Sequence, residues 1–298
     1  MITRPMLAEV VAPKQLDSLP YPQAVSIKYD GIRCLIHPTL GPVSRSFKPI
    51  PNIRVRDFLS EVDTELDGEL LIFKLKLDGT KEYLPYNPVQ SFVMSALKTL
   101  PHNYDMEFVV FDNFTYPEDA YRDRLRMMNN RTPHPKVTSV HQEICWNAPE
   151  ILEFYEKCLA DGHEGVMIRS LESPYKSGRS TRREGHLLKM KPIHQDEGTI
   201  VAGVALETNE NEAQQDMFGL TERSSHKAGK RQKELLGAFV VKTSQWGEIR
   251  LGSGFTAVQR ARFWRDREQL IGWTVSFKYQ AVGVKDKPRF PRFVKLVG

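Results

Sequence analysis

The sequence predicts an α+β domain followed by a small β-barrel. Over roughly the first two hundred residues, short apolar runs alternate with helix-like stretches in no regular strand-helix-strand period, which favours antiparallel sheets. Beyond Asp196, five short apolar runs and one amphipathic helix follow, a pattern typical of an OB-type barrel. The 298 residues are enough for two domains. We therefore predict domains at residues 1–195 and 196–298.

In the first domain, each predicted element follows from its local pattern. Apolar or alternating runs predict strands at 24–29, 32–37, 66–73, 104–112, 163–169 and 186–190. Helical periodicity predicts helices at 50–62, 88–100, 118–129 and 148–161. The last of these helices begins with the capping residue Asn147 and has Pro149 in its first turn.

In the second domain, the pattern predicts strands and one long polar interruption. Strands are expected at 199–206, 237–243, 248–251, 273–279 and 292–297, with a helix at 256–270. Residues 207–235 are too polar for a core and too many for a hairpin turn, so we predict an inserted loop there.

Composition and charge limit the class of protein. Hydrophobic residues make up 40% and charged residues 27% of the chain, as in soluble globular proteins. No long apolar stretch predicts a signal peptide or a membrane span. Three cysteines without Cys-x-x-Cys spacing argue against a zinc site. From Asp196 onwards there are 17 Lys and Arg against 12 Asp and Glu, whereas the preceding residues hold 25 of each. An excess of positive charge in one part indicates a polyanionic partner, although solubility alone also accounts for it.

The stretch Ser-Ile-Lys-Tyr-Asp-Gly-Ile-Arg, at residues 26–33, predicts a strand, a sharp bend and a second strand. Lys28 lies at the bend, where it can be held rigidly and partly away from water. Because free lysine titrates near pH ~10.4, a nucleophilic lysine needs its pKa lowered by burial or by neighbouring cations. Taken alone, the eight residues fit an ordinary surface lysine better, since short motifs often match by chance.

Five further clusters place charged or aromatic side chains at the ends of predicted strands. They are Ser44-Arg45-Ser46, Asp67-Gly68-Glu69, Phe111-Asp112, His163-Glu164-Gly165 and Lys189-Met190-Lys191. Singly, each is explained by a solvated strand end or a core aromatic. Together they can surround a nucleotide, with acids for ribose hydroxyls or a divalent cation, lysines for phosphate and a ring for the base. The chain contains no Gly-x-x-x-x-Gly-Lys-Ser/Thr sequence, so a P-loop does not bind the phosphates.

The ordered series Lys-Tyr-Asp-Gly-Ile-Arg, Ser-Arg, Asp-Gly-Glu-Leu, Val-Phe-Asp, Glu-Gly-Val-Met-Ile-Arg and Leu-Lys-Met-Lys resembles the motifs of covalent nucleotidyltransferases. It is most similar to the ATP-dependent DNA ligases, in the compact form typical of phages and viruses. The resemblance implies a nucleotidyltransferase domain of the ATP-grasp-like ligase fold and a following OB-fold β-barrel, without the additional amino-terminal DNA-binding domain of larger ligases. It also implies nick sealing in DNA repair, replication and recombination.

The resemblance assigns a role to each matching position. Lys28 is expected to attack the α-phosphate of ATP and to form lysyl-AMP. The other implied roles are ribose binding by Arg33 and Glu69, stacking on adenine by Phe111, a backbone contact to the base by Ile27, charge neutralisation by Lys189 and Lys191, binding of Mg²⁺ or Mn²⁺ by Glu164 and Glu69, and a grip on the 5′-phosphate of the nick by Arg45.

Two parts of the second domain remain open at this stage. In the family the tail motif ends in Arg-x-Asp-Lys, which is missing after Arg289-Phe290-Pro291-Arg292-Phe293-Val294-Lys295, so either Arg292 or Lys295 is a candidate substitute. The inserted segment carries five basic residues, and we expect them to bind DNA phosphates as a mobile latch: Arg223, Lys227, Lys230, Arg231 and Lys233. A disordered solvated loop is equally compatible with its composition.

The expected partner is nicked duplex DNA, and the expected protein is a cytoplasmic monomer, in the host cytoplasm if a phage encodes it. Two alternatives share part of the pattern. An RNA ligase or RNA-capping nucleotidyltransferase would use the same lysine chemistry on RNA ends or with GTP. A non-catalytic OB protein would bind nucleic acid without forming an adduct.

Overall fold

The computed structural model describes residues 2–215, 221–282 and 287–297. Backbone contacts divide the chain into two units, Met1–Lys191 and Pro192–Gly298. Each unit has a hydrophobic core of its own. Across the described ranges, no helix is both long enough and apolar enough to span a membrane.

The first unit contains two main sheets and four α-helices. Its strands are β1 (Met6–Leu7), β2 (Glu9–Val10), β3 (Gln23–Ile27), β4 (Ile32–His37), β5 (Gly41–Ser44), β6 (Leu66–Leu75), β7 (Lys81–Tyr83), β8 (Tyr104–Asn113), β9 (Val137–Ser139), β10 (Glu143–Cys145), β11 (Val166–Ser170), β12 (Gly178–Arg179) and β13 (Leu187–Met190). Its helices are α1 (Ile53–Leu59), α2 (Tyr86–Val93), α3 (Tyr121–Asn129) and α4 (Ala148–Ala160).

Both sheets, one of five strands and one of six in which β7 pairs with β6 alone, are antiparallel through their central strands, as predicted, and parallel at one edge each. One has the order β10-β3-β11-β13-β2 and the other β5-β4-β6-β8-β9. The parallel pairs are β13 with β2 and β8 with β9. Pairing between distant parts of the chain, such as β3 with β11, brings separate motifs to neighbouring strand ends.

Strand alternation separates two faces of the second sheet. One face of β4, β6 and β8 packs on α1, α2 and α3 through residues such as Leu70 and Phe108. By alternation, Arg33 and Glu69 lie on the opposite face. Phe111, which lies at a register shift between β6 and β8, packs on that face with Leu71 and Val109. That face carries the polar side chains of the candidate site.

The helix predictions are confirmed in position, but three helices are shorter than expected. The helices predicted at 50–62 and 256–270 span only Ile53–Leu59 and Ala257–Arg265. The helix predicted at 88–100 begins at Tyr86 and ends at Val93. The buried side chain of Asn52 donates to the carbonyls of Phe92, Ser95 and Lys98 at 2.9–3.1 Å. These carbonyls are thus held in a non-helical turn by a tertiary contact that no local pattern encodes.

The second unit has the five strands and one helix that the sequence predicts. They are β14 (His194–Asn209), β15 (Ala213–Gln215), β16 (Thr221–Arg223), β17 (Lys230–Thr243), β18 (Gly247–Leu251), α5 (Ala257–Arg265), β19 (Thr274–Val282) and β20 (Pro288–Val297), of which β15 and β16 form a separate small pair. The main sheet has the order β18-β17-β14-β19-β20, and a bridge from Ser253 to Arg292 joins its two edges.

The predicted loop at 207–235 is wrong for most of its described residues. Strands β14 and β17 continue past the hydrophobic core of the unit and stay paired as far as Asn209 and Lys230. The pair β15–β16 follows at the tip, and residues 216–220 lie outside the described ranges. Polar composition misled the prediction because both faces of a protruding hairpin contact water, so its strands need few apolar residues. We call the described residues of this polar extension, 206–215 and 221–233, the hairpin arm.

Candidate active site

Lys28 lies directly after β3 and faces the carboxylate of Glu164, which lies in the loop before β11. Its backbone N–H donates to the carbonyl of Gly165 at 2.9 Å, and its ammonium forms an ion pair with Glu164 Oε2. Lys191 Nζ lies 3.4 Å from the other oxygen, Glu164 Oε1. Two lysines from separate motifs therefore converge on one partly buried carboxylate.

The backbone around Gly165 makes this convergence possible. Val166 pairs with both Ile27 and Met190, so the ends of β3, β11 and β13 are in register. Gly165 has φ of +141°, and a Cβ there would lie 2.2 Å from the carbonyl oxygen of Met190. Only glycine allows the chain to pass so close to β13 with Glu164 turned towards Lys28.

The electrostatics of Glu164 follow from its two lysine partners. Burial disfavours the charged form of this carboxyl, but the positive charges and hydrogen bonds of Lys28 and Lys191 outweigh burial and hold its pKa below the ordinary value. Glu164 is therefore an anion at neutral pH.

Glu69 lies opposite Arg33 in the β4–β6 ladder and has the opposite shift. Burial raises the pKa of Glu69 to about 7, and the nearby carboxylates of Asp67 and Asp30 act in the same direction. The charges of Lys28 and Arg33 lower that pKa but do not compensate for burial. Its dependence on Lys28 places Glu69 near the nucleophile candidate, although their elements belong to different sheets.

Lys189 belongs to the same cluster. Burial lowers the pKa of Lys189 to about 8, helped by the positive charges of Lys191, Arg179 and Lys28. A lysine crowded by cations is a strong site for a polyanion, because a bound phosphate relieves the repulsion.

Arg33 and Phe111 lie side by side on the site-facing side of the sheet. Arg33 Nε donates to Asp67 Oδ1 at 2.8 Å, and a second bond joins its Nη2 to Oδ2. The guanidinium carbon lies 5.1 Å from the centroid of the Phe111 ring. Asp67 also accepts the hydroxyl of Tyr175. A bidentate pair with a buried carboxylate fixes the arginine beside the ring.

A second buried network lies behind Phe111, and the sequence analysis did not single out its members. Asp112 contacts Arg124 at 2.9 Å and Arg169 at 2.6 Å, and the hydroxyl of Tyr121 donates to the Phe111 carbonyl at 3.0 Å. Asp112 and Arg169 occur within the quoted motifs, so the sequence could have identified both as candidate site residues. Arg124 offered none, because an arginine on a polar helix predicts an exposed side chain, whereas this one is fully buried.

The remaining predicted site residues lie on other elements of the two units. Arg45 is exposed in the turn after β5. In the second unit, Arg292 and Lys295 are exposed on β20, opposite Lys278 and Ser276. The hairpin arm carries Lys230, which pairs with Glu207 at 2.9 Å, and the exposed residues Arg223, Lys227, Arg231 and Lys233.

The carboxylates of the cluster fit a metal ion that is bound together with phosphate. Within the described residues, no group of three or more His, Cys, Asp or Glu side chains is close enough to form a protein cage. Mg²⁺ commonly uses only one or two carboxylates and completes its shell with substrate phosphates and water. The anionic Glu164, beside the lysines, suits that arrangement, with Glu69 as the second carboxyl.

Comparison with known proteins assigns this arrangement to a family. Residues 5–191 match the ATP dependent DNA ligase domain, and residues 228–296 match the DNA ligase OB-like domain. The chain belongs to the ATP-dependent DNA ligase family. A solved Chlorella virus DNA ligase-adenylate is 30% identical with a TM-score of 0.54, and the match covers 100% of this chain and 99% of that one.

Further relatives extend the comparison. A Lig E DNA ligase shares the fold, with a TM-score of 0.70 at 24% identity over the full length of both chains. The DNA ligase of Thermococcus fumicolans is 25% identical over 90% of this chain and 47% of its own length. A probable DNA ligase of Kineococcus radiotolerans is 29% identical over 58% of this chain and 34% of its own length. The chain thus spans less than half the length of these curated relatives.

Proposed function

We propose that this ligase-family chain seals nicks in duplex DNA with ATP through an adenylylated Lys28. The observation that carries the proposal is the position of the Lys28 amine, held against Glu164 with Lys191 and Lys189 nearby. A nucleophile with two cations nearby suits attack on a phosphate, because those cations offset the charge of the phosphate.

In the first step, Lys28 Nζ gives a proton to solvent, and the neutral amine forms a bond to the α-phosphorus of ATP. The bond to the bridging oxygen breaks, and pyrophosphate leaves with its electron pair. Lys189 and Lys191 offset the negative charge that develops on the α-phosphate. Arg33 and Glu69 bind the ribose, and the Phe111 ring stacks on adenine, with Ile27 contacting the base through its backbone.

In the later steps, the 5′-phosphate of the nick takes AMP from Lys28, which returns as a free amine. The 3′-hydroxyl then attacks that phosphate, and AMP leaves as the phosphodiester bond forms. Arg45 is proposed to hold the 5′-phosphate. The divalent ion, bound by Glu164 and Glu69, would supply charge neutralisation and orientation of the phosphates.

The adduct itself is the decisive test. Incubation with ATP and magnesium should attach one AMP to the protein, seen as a mass increase in intact-protein mass spectrometry, and Lys28→Ala should abolish it. Lys14→Ala, which removes an exposed lysine of the same unit, serves as the control and should keep the adduct. A wild-type protein that stays unmodified would end the proposal. Parallel reactions with GTP and with nicked RNA separate DNA sealing from capping or RNA ligation.

We further propose that the hairpin arm binds DNA phosphates. Arg231 and Lys233 are exposed and two residues apart on β17, so their side chains lie on one side of the arm. The pairing of β14 and β17 means that the arm presents these charges on a strand scaffold rather than on a loop. Fixed charges lose less conformational entropy on binding.

Removing positive charge from the hairpin arm tests its contribution to DNA binding directly. The Arg231→Gln/Lys233→Gln variant should reduce the slope of log affinity for nicked DNA against log salt concentration by about 1.8, because each lost phosphate contact removes about 0.9. Adenylylation of Lys28 should stay at the wild-type rate. Arg54→Gln/Arg56→Gln removes two exposed charges from α1 as the matched control. Equal slopes in the two variants would show that the hairpin arm does not bind DNA phosphates. Sedimentation of the free protein tests the further proposal that it is a monomer.

A further inference from the structure

Tyr29 lies between two aromatic side chains in the first unit. Its ring centroid is 6.0 Å from Tyr83 and 6.4 Å from His163, with interplanar angles of 69° and 74°. Both are edge-to-face contacts, the favoured geometry for aromatic pairs. Tyr29 follows Lys28 in the chain, and His163 precedes Glu164. The two residues that form the central ion pair therefore each have a neighbour in this aromatic contact.

Tyr83 is held on its far side by a buried carboxylate. Glu107 is only 3% exposed, and it accepts bonds from the Tyr83 hydroxyl and from the Lys81 ammonium. Lys81 Nζ also lies 4.6 Å from the centroid of the Phe73 ring, which contacts Tyr83 at 6.1 Å. Charge-assisted bonds to a buried anion fix both partners in one orientation.

The cluster of Tyr83, Glu107 and Lys81 takes no part in the nucleotide chemistry proposed above. Glu107 lies on the same face of β8 as Phe111, with Val109 between them. Burying the Glu107 carboxylate costs desolvation free energy, and its ion pair with the exposed Lys81 side chain, 35% accessible, contributes little because water screens it. Stability alone is therefore a weak reason for this ion pair, and its position behind Tyr29 provides a better one.

We propose that Tyr29, Tyr83 and Glu107 are positioning residues that set Lys28 against Glu164. The Tyr83–Glu107 contact fixes the ring on which Tyr29 packs, and the Tyr29–His163 contact keeps the strand ends carrying Lys28 and Glu164 at one separation. The inference rests on the proposed function. In-line attack depends strongly on the placement of the nucleophile, and a displacement near 1 Å can cost about 100-fold in rate.

Single-turnover adenylylation separates positioning from binding. Tyr29→Leu and Tyr83→Leu should each slow the formation of lysyl-AMP at saturating ATP by about 10-fold, with the affinity for ATP unchanged, because Arg33, Glu69 and Phe111 keep their contacts. Tyr29→Phe keeps the ring and should restore the rate. The double variant should be no slower than either single one, because both remove the same contact.

Sealing of a nick that already carries AMP provides the internal control, since Lys28 forms no bond in that step. Its rate should be unchanged in the leucine variants. Phe92→Leu removes a fully buried ring from the opposite face of the sheet and controls for lost stability. Equal loss of both steps, or a wild-type adenylylation rate in Tyr83→Leu, would overturn the positioning role. If the wild-type protein forms no adduct, the proposed function fails, and this inference fails with it.

Discussion

Glu69 and Glu164 have nearly the same sequence context and opposite environments. Each is an acid beside a glycine, at or just before a buried strand. Burial disfavours charge on both. Glu164 contacts Lys28 and Lys191 and ionises readily, whereas Arg33, the cation opposite Glu69, is bound by Asp67 instead. In the described structure Glu69 forms no ion pair of its own, and its pKa rises to about 7. Asp67 forms the ion pair with Arg33 that Glu69 lacks, and the pKa values of Glu69 and Glu164 therefore shift in opposite directions.

The opposite pKa shifts of Glu69 and Glu164 suit the two acids to different chemical roles. Glu164 is negatively charged at neutral pH and contacts two lysines, and a charged carboxylate suits the proposed binding of a divalent cation. Glu69 titrates near neutral pH, so it can donate a hydrogen bond when protonated and accept one when ionised. A ribose hydroxyl is a suitable partner for either form. The predictions below aim to break or sharpen this contrast.

The largest effect is expected when Glu164 loses its charge. Glu164→Gln leaves Lys28 and Lys191 without their shared anion and should slow adenylylation by roughly 10³-fold. Rapid-quench measurement of lysyl-AMP formation tests this. Glu172→Gln, which breaks only an exposed ion pair with Arg122, serves as the control and should retain the wild-type rate. A decrease in the adenylylation rate of less than about 10-fold would show that the charge of Glu164 is not essential for this step.

The second largest effect is expected for the stability of the protein when Gly165, the glycine beside Glu164, is replaced. Gly165→Ala forces a Cβ towards the Met190 carbonyl at a positive φ, so we expect about 3 kcal/mol of destabilisation in urea unfolding. Gly162→Ala is the matched control in the same loop. Gly162 has φ of +82° but open space around its Cβ position, so only about 1 kcal/mol should be lost. Similar losses in both variants would show that the close approach to β13 carries no cost.

The pKa of Glu69 predicts an unusual slope of stability against pH. Its folded pKa of about 7 lies above the ordinary value of 4.5, so between these values the folded state retains a proton that the unfolded state has lost. The free energy of unfolding should therefore fall as pH rises through this window, by at most about 1.4 kcal/mol per pH unit. Glu69→Gln should abolish this contribution.

Glu164 should contribute in the opposite sense. Its folded pKa is lowered, so its stabilisation is present above about pH 4.5 and is lost as pH falls further. Urea unfolding of the wild type, Glu69→Gln and Glu164→Gln across both windows compares the two acids. Identical pH profiles for the two variants would contradict their assignment to different environments.

The smallest effect concerns the two lysines. Lys191 contacts Glu164, whereas burial and neighbouring cations lower the pKa of Lys189 to about 8. ATP affinity should therefore weaken a few-fold as pH rises from about 7 to 9, because Lys189 loses its charge. Lys189→Arg should remove this dependence, since a guanidinium stays charged throughout. Equilibrium binding with a non-hydrolysable ATP analogue measures it, and a pH-independent wild type would refute the lowered pKa.

Local patterns were sufficient for the positions of the helices and the longer strands, but not for short strands such as β7, β9 and β10 or for the ends of the elements. The capping residue Asn147 and Pro149 located the start of α4, and its N-cap bond is present, with the Asn147 side chain accepting from the Glu150 N–H at 3.0 Å. The end of α2 depended instead on Asn52, some forty residues away in the chain. The hairpin arm was missed because a solvated hairpin and a loop have similar composition.

For the candidate site, the motif series located the residues that the fold brings together around Lys28. Their specific roles remain proposals. The series offered no sign of Arg124, and Glu107 and Tyr83 belong to none of its motifs. Their importance comes from burial and from partners distant in sequence, which periodicity and spacing do not report.

The sequence by itself determined the order of the elements, the two-part organisation and the set of charged residues at strand ends, because these depend on periodicity and residue type. The tertiary structure alone decided which charges meet. Pairing of β3 with β11 placed Lys28 against Glu164. Arg33 forms its ion pair with Asp67 rather than with Glu69. Two acids of the same type thereby acquired opposite pKa shifts, because burial and the nearest cation are properties of the folded chain.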